Sequence, residues 1–253
     1  MRDLAVITPS RGRPWHLQRL MTALADTCQL STDLYVYADD DDPRLDDYKN
    51  LGLAHLETGP RDSLAALTNQ AARELAGGYE FLASLGDDHV PRTAGWDREL
   101  CATITAMGGT GFAYAAGSRW VIPEAWVMSS DIVAALGWMM NPACAHYKVD
   151  DTVLELGVAA RCIGYRHDVL VEHMQFGIPY DPTDPGKGMK AVRDDTYTDA
   201  LQPEKMTADL IAWHDWRNDP AGLAADTATI RALIDERAGE RASERASGHG
   251  EAS

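Results

Sequence analysis

The chain has 253 residues, 45% of them hydrophobic, and its 39 acidic against 23 basic residues give a net charge of −16. Length and apolar content support one large domain with a sizeable core, while the acidic balance excludes a protein built for general attraction to phosphate backbones or anionic lipid. An anionic ligand would therefore need a metal ion or a local Arg/Lys cluster to reverse the sign where it binds. Cys28, Cys101, Cys144 and Cys162 lie far apart and in no metal-ligand spacing, so they are expected reduced and buried. The amino terminus enters a strand without a signal-peptide pattern, and no apolar run reaches the length of a membrane span. A soluble, cytoplasmic protein is the expectation.

Residues 4–7 form a short apolar run, followed by Thr8-Pro9-Ser10-Arg11-Gly12-Arg13-Pro14 and a helical pattern over 15–24 with Leu17, Leu20, Met21 and Leu24 on one face. Strand, loop and helix in that order place two arginines beside the backbone N–H groups of a helix start, an anion cradle. Residues 33–38 predict a second strand, ending in Asp39-Asp40-Asp41-Asp42. One of these carboxylates could accept hydrogen bonds from a ribose or base edge; the plainer reading is an acidic loop. Residues 53–57 predict a third strand. The helix predicted over 63–75 has Ser63 as its cap and Leu64, Leu67, Ala71 and Leu75 as its buried stripe. Asn69, in the middle of it, is a poor helix former and needs a reason to be there.

The run from Phe81 to Leu85 reads as a buried strand that stops at Gly86-Asp87-Asp88-His89. Open α/β sheets place ligands at the carboxyl ends of their strands. Two carboxylates and an imidazole there suit Mg²⁺ or Mn²⁺ better than a thiolate metal. A solvated turn is the ordinary alternative, because Asp, Gly and Pro are turn residues. A helix over 95–107 follows, and the strand–helix alternation to this point predicts a parallel, doubly wound sheet.

Later residues predict strands over 111–116, 125–129 and 165–171, with helices over 130–136, 152–161 and 203–216, the last with Met206, Leu210 and Trp213 on one side. His173 closes a strand, and Asp150-Asp151 opens the helix at 152. Residues 177–199 have almost no periodicity but are locally basic through Lys187, Lys190 and Arg193, as expected of a lid that closes over phosphates. Residues 238–253 are almost entirely Ala, Ser, Gly, Glu and Arg and are expected to be disordered.

With these pieces placed, residues 4–176 resemble the inverting glycosyltransferases of the GT-A fold, closest to the family-2-like type, including small soluble phage and bacterial members. The resemblance lies in the order of several short motifs. Thr8, Pro9, Ser10 and Arg11 look like the first nucleotide-binding loop. Asp39 or Asp40 falls where that family has an acidic residue facing the nucleotide base, and Arg61 and Asn69 fall in its nucleotide-pocket segment. Gly86-Asp87-Asp88 is similar to an Asp-any-Asp metal motif whose first Asp is Gly86. This leaves Asp88 as the direct ligand, with Asp87 facing the ribose or a metal-bound water. His173 matches the histidine that completes the metal site, and Asp150-Asp151 the acidic pair whose second member is the catalytic base.

The resemblance implies one α/β domain over 1–237, with a mostly parallel Rossmann-like sheet flanked by helices and a smaller mixed sheet on the acceptor side. Its parts would be a nucleotide-sugar-binding half over 1–110, a catalytic half over 111–176, the lid over 177–199 and carboxyl-terminal helices over 200–237. It also implies Mn²⁺ or Mg²⁺, a nucleoside-diphosphate sugar donor with a UDP-sugar favoured, Lys190 and Arg193 on the donor phosphates, and an acceptor hydroxyl. Trp120, Trp126, Tyr147 and Asp150 are the acceptor-side candidates, Trp138 being a further aromatic there. Some phage members glycosylate hydroxymethylated DNA bases, which makes such DNA one acceptor to consider. Two competing readings are a nucleotidyltransferase, disfavoured because the first loop has a single glycine, and a noncatalytic nucleotide-sugar-binding module.

Overall fold

A computed structural model describes residues 1–117, 121–174 and 202–248. Its centre is one eight-stranded sheet in the order β3-β2-β1-β4-β7-β6-β8-β5. The first four strands, β1 (Arg2–Pro9), β2 (Thr32–Asp39), β3 (His55–Gly59) and β4 (Tyr79–Ser84), pair in parallel. They are connected by α1 (Pro14–Thr27), a short α2 (Leu45–Lys49) and α3 (Leu64–Leu75). β1 is a continuous apolar run because both of its faces are covered. Leu4 and Val6 belong to the cluster with Leu17 and Leu20 of α1, while Ala5 and Ile7 belong to the cluster with Ala65, Ala71 and Ala72 of α3.

Beyond β4 the pairing is mixed. The remaining central elements are β5 (His89–Pro91), α4 (Trp96–Ala106), β6 (Phe112–Ala116), β7 (Trp126–Ser129), α5 (Ser130–Leu136), α6 (Val149–Ala160) and β8 (Ile163–His173). β7 runs antiparallel to both β4 and β6, β6 is parallel to β8, and β5 is antiparallel to the last residues of β8. The doubly wound parallel pattern therefore holds for the first four strands, and the mixed acceptor-side strands continue the same sheet. Because β7 runs against its neighbours, its amino end shares one edge with the carboxyl ends of β1, β4 and β8.

Several faces differ from the periodicity. The inner face of α3 is Ala65, Thr68, Asn69, Ala71 and Ala72, with Leu64 and Leu75 only partly buried, since small residues let the helix lie close on the sheet. α6 begins at Val149, which takes Asp150 and Asp151 into its first turn, where carboxylates suit the exposed N–H groups. After the described gap come α7 (Pro203–Asn218), a kinked turn at Pro220–Ala224 and α8 (Ala225–Gly248). Leu210 is 43% exposed; the buried residue of α7 is Asp209.

The expected disorder from residue 238 is corrected by α8, which continues to Gly248. Its Ala, Glu and Arg residues are good helix formers. Arg237 and Arg241 each donate to a carbonyl just past the end of α4, of Gly109 and Gly108 respectively, both at 2.5 Å. No helix of the described residues is long and apolar enough to cross a membrane, and the four cysteines are free, Cys28 being half-buried rather than buried. The 177–199 segment with Lys187, Lys190 and Arg193, and likewise Trp120, lie outside the described residues.

Candidate functional site

The β1–α1 loop and the β4–β5 turn meet at the shared edge. Asp87, fully buried, accepts from the Ser10 hydroxyl at 2.5 Å and pairs with Arg13 at 2.6 Å. Ser10 also bonds the Tyr48 hydroxyl at 2.7 Å. Asp87, the carboxylate expected to face a ribose or a metal-bound water, thus holds the first loop against the turn while lining the cleft. Arg13, the second arginine of the expected anion cradle, lines the cleft and comes within 3.7 Å of Asp88. Arg11, the arginine that the motif pointed to, pairs with Asp39 at 3.0 Å and Asp41 at 2.5 Å. Pro9 lines the cleft, and Thr8 is fully buried beneath it.

At the end of β2, burial pushes the Asp39 carboxyl up, opposed by the hydrogen bond and charge of Arg11. Asp40 is exposed, with its backbone N–H donating to Gly59 at 2.7 Å. Arg61 is exposed and close enough to act on Asp39 electrostatically. Asn69 departs from its expected place in the nucleotide pocket. Its oxygen accepts from the backbone N–H groups of Met139 and Met140, and its nitrogen donates to the Met140 carbonyl, all at 2.8 Å. That is the reason for a poor helix former inside α3: it holds the chain that becomes the far wall of the cleft.

Gly86 has a steric reason. A Cβ there would lie 2.8 Å from Asp88 Oδ1 and 3.0 Å from His89 Nδ1, so a side chain at this position would displace both. The Gly86 N–H donates to His89 Nδ1 at 2.5 Å. β5 then pairs His89 with His173, which places the two rings 4.3 Å apart. His173 Nε2 lies 3.5 Å from Asp88 Oδ1, and its Nδ1 lies 3.4 Å from Glu124 Oε1. Burial alone would neutralise Asp88, but the hydrogen bond and charge of His173, with Arg13 and His89 adding, hold its carboxyl well below the usual range. Burial likewise works against a charged His173, and Asp88 and Glu124 raise it well above the ordinary imidazole value. Burial, with His173 adding, pushes His89 down to about 3.

The far wall runs from Met140 to Asp151. Asp209 of α7 accepts from the backbone N–H groups of Ala145, His146 and Tyr147 at 2.8, 3.0 and 2.7 Å. Tyr147 lines the cleft, with the Lys148 ammonium 5.0 Å from its ring centroid. Lys148 adopts a left-handed backbone (φ 71°) at the start of α6 and pairs with Asp151 at 3.1 Å. Asp150 also lines the cleft. Burial pushes its carboxyl up to about 7, Glu124 and Asp151 adding to the rise and His173 opposing it. Trp126 is corrected from acceptor candidate to core: it is 1% exposed in β7. Trp138 packs partly buried against the same core.

These residues enclose a cleft of about 310 Å³ lined by Arg13, Asp88, Glu124, Tyr147, Asp150, Asp151 and His173 among others. Among the described residues no group of three or more His, Cys, Asp or Glu side chains is arranged to hold a metal ion. Asp88 and His173 form a two-donor set, one carboxylate oxygen and one imidazole nitrogen 3.5 Å apart. That set fits Mg²⁺ or Mn²⁺ of the kind that completes its coordination with substrate phosphates and water.

No protein-family model matches the chain, and no curated protein matches it. Solved structures do. The S. aureus TarS 1–349 structure in complex with UDP-GlcNAc aligns with 93% of this chain and 72% of its own, at 12% identity and a TM-score of 0.58. Glucosyl-3-phosphoglycerate synthase from Mycobacterium tuberculosis, in complex with Mn²⁺, UDP-glucose and glycerol 3-phosphate, aligns over 84% of this chain and 80% of its own, at 10% identity and a TM-score of 0.56. The chain spans 60% of TarS 1–349 in its UDP complex and 43% of TarS in a longer structure. The fold is that of the GT-A glycosyltransferases.

Proposed function

We propose that the protein is a metal-dependent, inverting glycosyltransferase that moves a sugar from a nucleoside-diphosphate sugar, a UDP-sugar in the first instance, to an acceptor hydroxyl. One observation carries the reading. Asp88 and His173 stand together at the carboxyl edge of a GT-A sheet, in one cleft with the Asp150-Asp151 pair on the far wall. Similar folds occur in structures holding UDP, UDP-GlcNAc, or UDP-glucose with Mn²⁺, which is why those ligands are the first to try.

Asp88 and His173 would hold the cation, and the cation, when bound, supplies Lewis-acid stabilisation of the diphosphate leaving group. Arg13, between the donor loop and the Asp88 carboxylate, adds positive charge on the same side of the cleft. Asp151 is assigned as the base that takes the proton of the acceptor hydroxyl. It lines the cleft, and the Lys148 ammonium steadies its carboxylate. Asp150 stands nearer the electrostatic reach of His173 and Glu124, so the two neighbouring carboxylates have different environments and different roles. Tyr147 offers an aromatic face to the acceptor. The net charge of −16 gives DNA no general attraction to this protein, so a DNA acceptor would have to be recognised by local contacts.

The test is a thermal-shift series with UDP, GDP, CDP and dTDP, each with and without Mn²⁺. A ligand that binds only the folded state raises stability by about 2.7 kcal/mol at one hundred times its Kd. Metal-dependent stabilisation by one nucleotide is the expected result, and no response to any of the four would overturn the reading.

A further inference from the structure

We infer that Glu124 is a positioning residue for the metal site: it holds His173 by its Nδ1 edge, so that Nε2 faces Asp88 and the cation. The inference rests on the reading that Asp88 and His173 bind a divalent metal. Glu124 belongs to none of the motifs in the resemblance and lies 49 positions from His173 in the chain.

Three separate observations place it. Its side chain is only 6% exposed, and Oε1 lies 3.4 Å from His173 Nδ1, while Nε2 of the same ring lies 3.5 Å from Asp88 Oδ1. The imidazole is thus bracketed by carboxylates on opposite edges, both of which line the cleft. Gly117 makes room for the bracket, since a Cβ there would lie 2.7 Å from Glu124 Oε2. Finally, His89 covers one face of the ring at 4.3 Å, so the ring is held by its face and by its Nδ1 edge at once.

Metal-binding histidines commonly donate their second ring N–H to a carboxylate, which fixes the tautomer and the ring orientation, and loss of that partner costs about 10- to 100-fold in metal affinity. The 3.4 Å contact is long for a hydrogen bond. With a cation held at Nε2, the proton of the ring would reside on Nδ1, and the Nδ1–H would donate to Glu124. Glu124 needs to touch neither donor nor acceptor to do this.

The experiment is Mn²⁺ binding followed by electron paramagnetic resonance on the full chain, in the presence of whichever nucleotide stabilises the wild type, with ¹⁵N imidazole shifts of the Mg²⁺-loaded protein as second readout. Glu124→Ala should weaken Mn²⁺ binding by about 10- to 100-fold. Glu124→Gln, which keeps an acceptor oxygen and the same shape, should recover part of the loss, and it carries the test if the alanine variant does not fold. Gly117→Ala should weaken binding in the same direction by crowding Glu124, although Gly117 touches no metal donor. In the wild type the His173 signals should report the proton on Nδ1, and in Glu124→Ala that preference should be lost. Wild-type Mn²⁺ binding that is unchanged in Glu124→Ala and Glu124→Gln, with the His173 tautomer also unchanged, overturns the inference and leaves the metal reading standing. Absence of Mn²⁺ binding by the wild type overturns the metal reading itself, and the inference with it.

Discussion

The two halves of the sheet solve the same electrostatic problem differently. In the parallel half, buried carboxylates are neutralised by arginines of the β1–α1 loop: Arg11 serves Asp39 at the end of β2 and also pairs with the exposed Asp41, and Arg13 serves Asp87. All of these lie on loops that follow the carboxyl ends of successive parallel strands. In the mixed half, the charged groups come from remote parts of the chain. Asp88, Glu124 and His173 meet only because β5 pairs with the end of β8 and because β7 runs backwards. The far wall is held by two side chains that bond its backbone, Asn69 and Asp209. The charge pairs of the parallel half therefore come from neighbouring strand ends, whereas the mixed half depends on long-range clamps that mutation can release singly.

That contrast can be broken at four places. The largest effect belongs to Asp151→Asn, which removes the assigned base from the mixed half and leaves the parallel half intact. Transfer should fall by about 10²- to 10⁴-fold with nucleotide affinity unchanged, read from steady-state turnover beside a direct binding isotherm. Equal turnover in the variant would remove Asp151 from the mechanism.

Gly86→Asp comes next, because it restores the missing first carboxylate of the metal motif and asks whether geometry or charge governs the turn. Since a Cβ there would lie 2.8 Å from Asp88 Oδ1, the variant should lose the metal-dependent thermal shift rather than strengthen it. A stronger shift would mean that the turn can relax and that Gly86 merely weakens the site.

Asp209→Ala releases the far wall alone. Three backbone N–H groups lose their acceptor, so stability should drop by about 1 to 3 kcal/mol in denaturant titration, and the acceptor KM should rise while the donor Kd holds. A donor Kd that moved equally would show that the halves are not separable in this way.

The smallest effect is a pH dependence at Asp150. A carboxyl raised to about 7 by burial costs the folded state stability; the cost is absent below the ordinary carboxylate value near 4, grows between there and about 7, and is full above it. Asp150→Asn should therefore raise the melting temperature of the metal-free protein at pH 8, and the advantage should vanish by pH 4. An advantage of the same size at both ends would mean that the substitution acts through packing and not through charge.

Much of the parallel half was readable from residue order. Its strands come as short apolar runs, its loops carry Ser10, Arg11 and Arg13, and Ser63 caps α3 by accepting from the Ala66 N–H, as its position implies. Asp88 and His173 were also legible, because each ends an apolar run. Glu124 was not: it lies in an irregular stretch before β7, with no periodicity and no motif to single it out. Asp209 was hidden because it lies between Met206 and Trp213 on a helix side read as apolar, and Trp126 looked like an acceptor contact because nothing local distinguishes a core tryptophan from one that lines a cleft.

By itself, then, the amino-acid order determined what depends on near neighbours: the alternation of apolar strands and helices, the capping of α3, and the acidic and basic loops at strand ends. Tertiary structure alone decided which charges meet. Whether a carboxylate such as Asp87, Asp88, Asp150 or Asp209 is spent on the protein's own arginines and amides or left facing a cleft is set by burial and by partners dozens of residues away. Those are quantities that pairing across the sheet creates and that no local pattern encodes.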